Sequence, residues 1–268
     1  REQSQKKMYT ITFDDGLKSQ YRNAIPILEK YGSRATFFII TGTLEGKVPY
    51  AQKLHFLLSR FSPLEIIERW NKFITEKRPW FLFWERSLPP DSHAKDFLIS
   101  KETRWSPGRR LYEDIPSANI KEMFSRGVPK DLRSRFFDVF FKEKNLNEDM
   151  LCKELFMDED EIGQIAKNSQ FMVGSHTHSH EALTGEGISQ GKVQKDFSKS
   201  GKWFAKLIGK KPTIFSYPHG LPQGEEILIQ QGFTHAVTAV DERSVDASDR
   251  EFFIPRYEGN TIRDFLSR

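Results

Sequence analysis

Met8-Tyr9-Thr10-Ile11-Thr12-Phe13-Asp14-Asp15-Gly16 starts as a β-rich run and ends in two adjacent carboxylates and a glycine. The run reads as a strand, and Asp-Asp-Gly as the turn that stops it. Ala24 to Tyr31 follows with Ile25, Ile27, Leu28 and Tyr31 near helical spacing, and Gly32 stands as a stop signal. Ala35-Thr36-Phe37-Phe38-Ile39-Ile40 is then apolar on both faces, as expected of a parallel strand covered on two sides. Strand, helix and strand in this order predict a right-handed βαβ unit.

The same style returns after residue 156. Glu161 to Asn168 reads as a short helix and Phe171 to Ser175 as a strand. Ser189 to Ile208 reads as a long amphipathic helix whose buried side is marked by Val193, Phe197, Trp203, Phe204, Leu207 and Ile208. Thr213–Ser216, Thr234–Val240 and Phe252–Ile254 read as further strands, with a helix near Glu225–Gln231. Alternating strands and helices predict a parallel α/β sheet, open or closed into a barrel. Residues 44–155 break the pattern. They hold four of the five tryptophans (Trp70, Trp80, Trp84, Trp105) and mostly helical periodicity, as in Leu54–Phe61 and Leu132–Phe141. A βα connection is usually about 2–6 residues, so 44–155 is expected to be an inserted helical subdomain, with 8–43 and 156–268 forming the α/β part.

Composition bounds the function classes. The net charge is +4 and the whole excess falls within 44–155, too dispersed for a nucleic-acid footprint. No stretch approaches the ~20 apolar residues of a transmembrane segment. The lone Cys152 excludes an internal disulfide framework and a multi-cysteine metal site. Arg1 to Lys7 is polar, without an apolar signal core, so the expectation is a cytoplasmic chain working at a membrane surface. The first residue is not Met, which leaves export after removal of a leader as the alternative.

Three polar clusters fall at three predicted strand ends, the edge where parallel α/β folds build their sites. The first is Asp14-Asp15, a pair whose mutual repulsion a cation would relieve. The second is His176-Thr177-His178-Ser179-His180, which holds three of the seven histidines. One helical turn would put His176 and His180 on one face and turn His178 away. Two histidines and a carboxylate leave positions open for water, the layout of a catalytic rather than a structural zinc. The third is Ser216-Tyr217-Pro218-His219-Gly220, a turn able to aim a backbone N–H at a developing oxyanion.

Thr12-Phe13-Asp14-Asp15-Gly16, His176-Thr177-x-x-His180 and Tyr217-Pro218-His219-Gly220, in this order, resemble the motifs of polysaccharide deacetylases of the carbohydrate esterase 4, NodB-homology type. The resemblance covers both flanking parts and skips the insert. It implies a distorted (β/α) barrel, usually of seven strands, that removes N-acetyl groups from a carbohydrate during surface-glycan assembly. It also implies Asp15, His176 and His180 as ligands of a divalent metal, Zn2+ first and Co2+, Ni2+ or Fe2+ as alternatives. Asp14 is then the catalytic base.

Two departures from the family pattern matter. Its third motif usually carries an arginine that steadies the acidic residues, whereas this chain has Ser216-Tyr217-Pro218-His219-Gly220; the Phe-Ser-Tyr-Pro form resembles a branch of the family. Arg256 is the candidate to supply that charge, and it is grouped with Tyr217 and Pro218 as an expected substrate contact. The C-terminal Leu-x-His motif, the usual general acid, is also absent, and no histidine follows Arg256. The proton donors left are His219, which the reading favours, His235, and Asp14 returning its proton.

Trp80-Phe81-Leu82-Phe83-Trp84 is the most aromatic stretch and reads first as core of the insert. The sharper reading is a platform for an oligomeric or lipid-linked saccharide, with the insert overhanging the site and favouring a short glycan or a chain end. The competing expectations are a non-catalytic glycan-binding protein on the same fold and an amidohydrolase of a non-sugar amide.

Overall fold

The computed structural model describes residues 10–76, 97–103, 113–184, 188–220, 222, 224–239 and 251–256. Among these, five strands form: β1 (Ile11–Phe13), β2 (Ala35–Ile39), β3 (Phe171–Ser175), β4 (Ile214–Ser216) and β5 (His235–Val237). The α-helices are α1 (Ile25–Lys30), α2 (Tyr50–Arg60), α3 (Pro63–Glu76), α4 (Ile115–Glu122), α5 (Lys130–Glu143), α6 (Glu148–Leu155), α7 (Glu159–Lys167), α8 (Gln190–Ile208) and α9 (Glu225–Gln230). No described helix is long and apolar enough to cross a membrane.

All strand pairs are parallel, and their order in the sheet is their order in the chain. Such a sheet is singly wound, so right-handed crossovers carry every connection over the same face. The side chains obey this. Ala35, Phe37, Ile39, Phe171 and Val173 share one core with Ile25 and Leu28 of α1, Ile162 and Ile165 of α7 and Phe204 of α8. Phe215 and Tyr217 join Val193 and Phe197 of α8 and Leu228 of α9 in a second cluster on the β4–β5 side. Odd-numbered residues of β2, β3 and β4 therefore meet helices, as the period of two requires. On the other face Phe38 lies over Gly174, where an added Cβ would stand 2.5 Å from the ring.

The expected seven strands are not reached. Five form among the described residues, and the predicted Phe252–Ile254 strand contributes one parallel bridge, Val237 to Ile254. The sheet is thus the curled half of a distorted (β/α) barrel. Met8 and Tyr9 lie outside the described residues. In α1 only Ile25 and Leu28 are buried, whereas Ile27 and Tyr31 face outward. Helix ends follow their caps: Asp158 and Glu161 form a reciprocal capping box on α7, and Ser189 accepts from Lys192 at the start of α8.

The chain divides into two compact units, Arg1–Lys47 with Asp149–Arg268, and Val48–Glu148. These borders lie inside the expected 44–155. The short 3-10 turn Thr41–Glu45 belongs with the sheet because the Thr41 and Gly42 amides bond the Thr177 and His178 carbonyls. After α6, the Met157 amide bonds the Gly16 carbonyl. The second unit contains α2 to α5 around an aromatic centre, where Trp70 packs against Phe73, Phe124 and Phe136 at 4.9–5.8 Å between ring centroids. Its indole N–H donates to the Phe97 carbonyl at 2.6 Å, the partner a buried tryptophan requires. Trp80 to Trp84 and Trp105 lie outside the described residues.

Candidate active site

β1 ends at Phe13, so Asp14 and Asp15 leave the sheet at its carboxyl edge. Asp15 takes φ 74° and Gly16 φ 73°, a left-handed pair that reverses the chain at once. Gln20 staples this turn: its amide donates to the Asp14 carbonyl at 2.6 Å and its oxygen accepts from the Leu17 amide at 3.1 Å.

His176 follows β3 directly, with its amide bonded to the Ile39 carbonyl. Residues 176–180 do not form the helical turn that spacing suggested. Thr177 at φ 67° and His180 at φ 58° fold them into a left-handed loop instead. The loop still brings the two imidazoles together, at 4.7 Å between centroids. His178 turns elsewhere, with Nδ1 3.1 Å from Thr41 Oγ1 and Nε2 3.5 Å from Glu45. Among the described non-glycine residues, positive φ occurs at Asp15, Asn145, Thr177, His180 and His219. Asn145 lies just past the end of α5; the other four surround this site. Each costs on the order of 1–3 kcal/mol, and such strain gathers where a particular side-chain geometry is required.

The donor atoms converge. His176 Nε2 and His180 Nε2 lie 3.5 and 3.6 Å from Asp15 Oδ1, and all three fall within 4.8 Å of one another. Tetrahedral zinc with bonds of ~2.0–2.1 Å spaces its donors by about 3.3 Å, so Asp15, His176 and His180 fit such an ion. Ser216 holds the His176 tautomer: the 2.8 Å contact from Nδ1 to its carbonyl assigns the proton to Nδ1 and the lone pair to Nε2. Burial pushes the His180 pKa well down, and the charges of His176 and His219 push it further, so His180 is neutral and its lone pair is available.

Asp14 is held from the far end of the chain. Arg256 donates from Nη1 to Oδ1 at 2.8 Å and from Nη2 to Oδ2 at 2.7 Å. Its remaining hydrogen bonds go to Thr238 O, Thr12 Oγ1 and Ser216 Oγ at 2.9–3.3 Å, so all five guanidinium donors are used. Burial raises the Asp14 pKa; the Arg256 hydrogen bonds, the charges of His176 and Arg256, and the Ser216 hydroxyl outweigh it. The carboxyl is held below its ordinary range.

The three expected substrate contacts, Arg256, Tyr217 and Pro218, are all buried or half-buried. Arg256 has its donors on Asp14 and the strand ends. Tyr217 is 1% exposed, packed on Phe215 and stacked with Phe253, and Pro218 is buried. Both side chains build the turn and neither is open to a sugar. His219 is exposed at φ 62°, with its ring 4.8 Å from that of His180. His235 opens β5 at the amino edge of the sheet and contacts Thr234. Two steps along the strand put that edge about 7 Å from its carboxyl end, on the side of the sheet away from Asp15, His176 and His180. The roles of Ser216, Gln20 and Gly42 escaped the sequence reading, since each acts on a neighbour that only the fold supplies.

Gly42 carries a prediction. A Cβ there would stand 2.3 Å from the His178 carbonyl oxygen, which accepts the Gly42 amide at 2.8 Å. Gly42→Ala is expected to push the histidine loop and cost about 1–3 kcal/mol, read by denaturant unfolding, together with weaker metal binding. Wild-type stability and affinity would contradict this account of the close approach.

The singly wound α/β sheet gathers acidic and histidine donors at its carboxyl edge, where parallel α/β folds build their sites. The polysaccharide deacetylase family model matches residues 1–62 and 136–234, more than half of the sequence. The chain belongs to the polysaccharide deacetylase family, and is thus a hydrolase of the carbohydrate N-deacetylase type. Similar solved structures include IcaB from Ammonifex degensii, at 16% identity over 96% of this chain and 71% of that one, TM-score 0.49. A de-N-acetylase from Aggregatibacter actinomycetemcomitans matches at 16% identity over 96% and 74%, TM-score 0.45. The deacetylase PplD of Streptococcus pyogenes, solved with acetate, matches at 14% identity over 91% and 61%, TM-score 0.45. No curated protein matched the sequence.

Proposed function

We propose that this chain hydrolyses the N-acetyl amide of an amino sugar in a surface glycan, using a divalent metal, Zn2+ first, held by Asp15, His176 and His180. The observation that carries the reading is the convergence of three donor atoms at the strand ends beside an arginine-paired carboxylate. When bound, the ion polarises the acyl oxygen and acidifies water towards a pKa of ~7. Asp14 accepts a proton from the attacking water; Arg256 keeps it ionised and aimed, and the carboxylate retains lone pairs beyond those Arg256 uses. As the C–N bond breaks, the amine nitrogen takes a proton and acetate leaves. His219, exposed beside His180, is the residue proposed to donate it. The Arg256 pair also speaks against a non-catalytic glycan binder, because the altered third motif does not leave Asp14 unsupported.

The test is acetate release from N-acetylated amino-sugar oligomers. Chelation is expected to abolish release, and added Zn2+ or Co2+ to restore it. Full activity in the chelated protein would overturn the metal dependence. Release from simple amides but not from sugars would move the substrate outside carbohydrates.

A further inference from the structure

The loop 176–180 is buried except at Ser179, and every one of its amides has a partner. The His176 amide bonds Ile39 O, the Thr177 amide bonds Ser175 Oγ and the His180 amide bonds Thr177 Oγ1. The Thr177 and His178 carbonyls accept from the Thr41 and Gly42 amides. That leaves two successive amides, His178 and Ser179, in the middle of the turn. Both are taken by one side chain from another element: Asp196, in the second turn of α8. Its Oδ1 accepts the His178 amide at 2.7 Å, and its Oδ2 accepts the Ser179 amide at 3.0 Å together with the Ser179 hydroxyl.

We propose that Asp196 is a positioning residue for the metal centre, holding the turn between His176 and His180 in the shape that brings both imidazoles to Asp15. The inference rests on reading these three as metal ligands, and it adds a residue that touches none of them. Thr177 and His180 stay left-handed because the amides between them are fixed to a carboxylate on a rigid helix. Without that acceptor the two amides turn to water, the strained residues relax, and the His180 ring swings off the donor set. A charged acceptor is needed because each carboxylate oxygen meets N–H or O–H donors. An amide in its place presents one NH2 group to a donor.

Co2+ reports both affinity and geometry through its visible absorption. In the metal-free full chain, Asp196→Asn is expected to bind Co2+ about 10–100-fold more weakly than wild type, with an altered absorption envelope. Phe197→Leu, one position along α8 and part of the apolar cluster, supplies a control that lowers stability without touching the loop; it is expected to keep Co2+ affinity within about threefold. Asp196→Asn binding within that margin, or Phe197→Leu weakening Co2+ as much as Asp196→Asn, would overturn the proposal. Should Asp196→Asn not fold, Ser179→Ala removes only the hydroxyl bond. A loss of about three- to tenfold is then expected, and unchanged affinity overturns the proposal. A wild-type chain that binds no Co2+ would overturn the metal reading itself. Wild-type binding with equal binding by Asp196→Asn would sink only the role of Asp196.

Discussion

Asp14→Asn is expected to retain its divalent ion and lose acetate release by about 10²–10⁴-fold, the usual contribution of a positioned general base. The ion is expected to stay because the three converging donors come from Asp15, His176 and His180; Asp14 Oδ2 lies 4.0 Å from His176 Nε2 and is committed to Arg256. Turnover is expected to fall because a carboxamide accepts no proton at neutral pH, and because its NH2 would face an Arg256 N–H donor. Single-turnover acetate release and a Zn2+ titration on the same preparation separate the two effects. Near wild-type turnover with metal bound would remove Asp14 as the base, and loss of the metal would make it a ligand.

Arg256→Gln is expected to destabilise the fold and shift its acid limb upward. Breaking a buried ion pair costs about 3–5 kcal/mol, and the lower end applies here because the Asp14 side chain keeps 30% exposure and the Arg256 side chain 17%. The pH sign follows from the lowered Asp14 pKa. An Asp whose folded pKa is depressed contributes stability above its unfolded value, and loses it as pH falls through the folded value. With Arg256 gone, burial still raises the Asp14 pKa and two of the causes that lower it are lost, so the carboxyl protonates at higher pH than in wild type. Acid unfolding then begins at higher pH. Carboxyl-carbon titration of Asp14 in the chelated protein reads the shift directly, and kcat is expected to fall with it on the acid side. An unchanged Asp14 titration and unchanged stability would show that the bidentate pair is not what holds the carboxylate ionised.

The strands and long helices were legible because they are local. Alternating and continuous apolar runs placed β2 and β3, and the 3.6-residue periodicity from Ser189 to Ile208 placed α8, whose first residue in the structure is Gln190. Short strands were the weak point. Phe252–Ile254 reads as β but makes one bridge, since a three-residue run gains a ladder only if its neighbour offers a matching edge. The same limit appears at Tyr217 and Pro218: residue type marked the turn, but which way each side chain faces depends on the register of β4 against the helix layer.

At the centre, residue chemistry and order along the chain were enough to assemble Asp14, Asp15, His176 and His180, because carboxylates and imidazoles at successive strand ends must come to one edge of a parallel sheet. Arg256 is the contrast. It lies 242 positions from Asp14; the family pattern made it the candidate for the missing charge, while its own neighbourhood left a solvated arginine equally open, and only the fold decides between the two. The left-handed turn at 176–180 was likewise invisible, since the spacing of two histidines is the same on a helix and on a strained loop. Local patterns report the backbone over a few residues. Long-range partners such as Arg256 with Asp14, or Asp196 with the histidine turn, follow from where the folded sheet brings the chain back, and that path is set by packing across the whole unit.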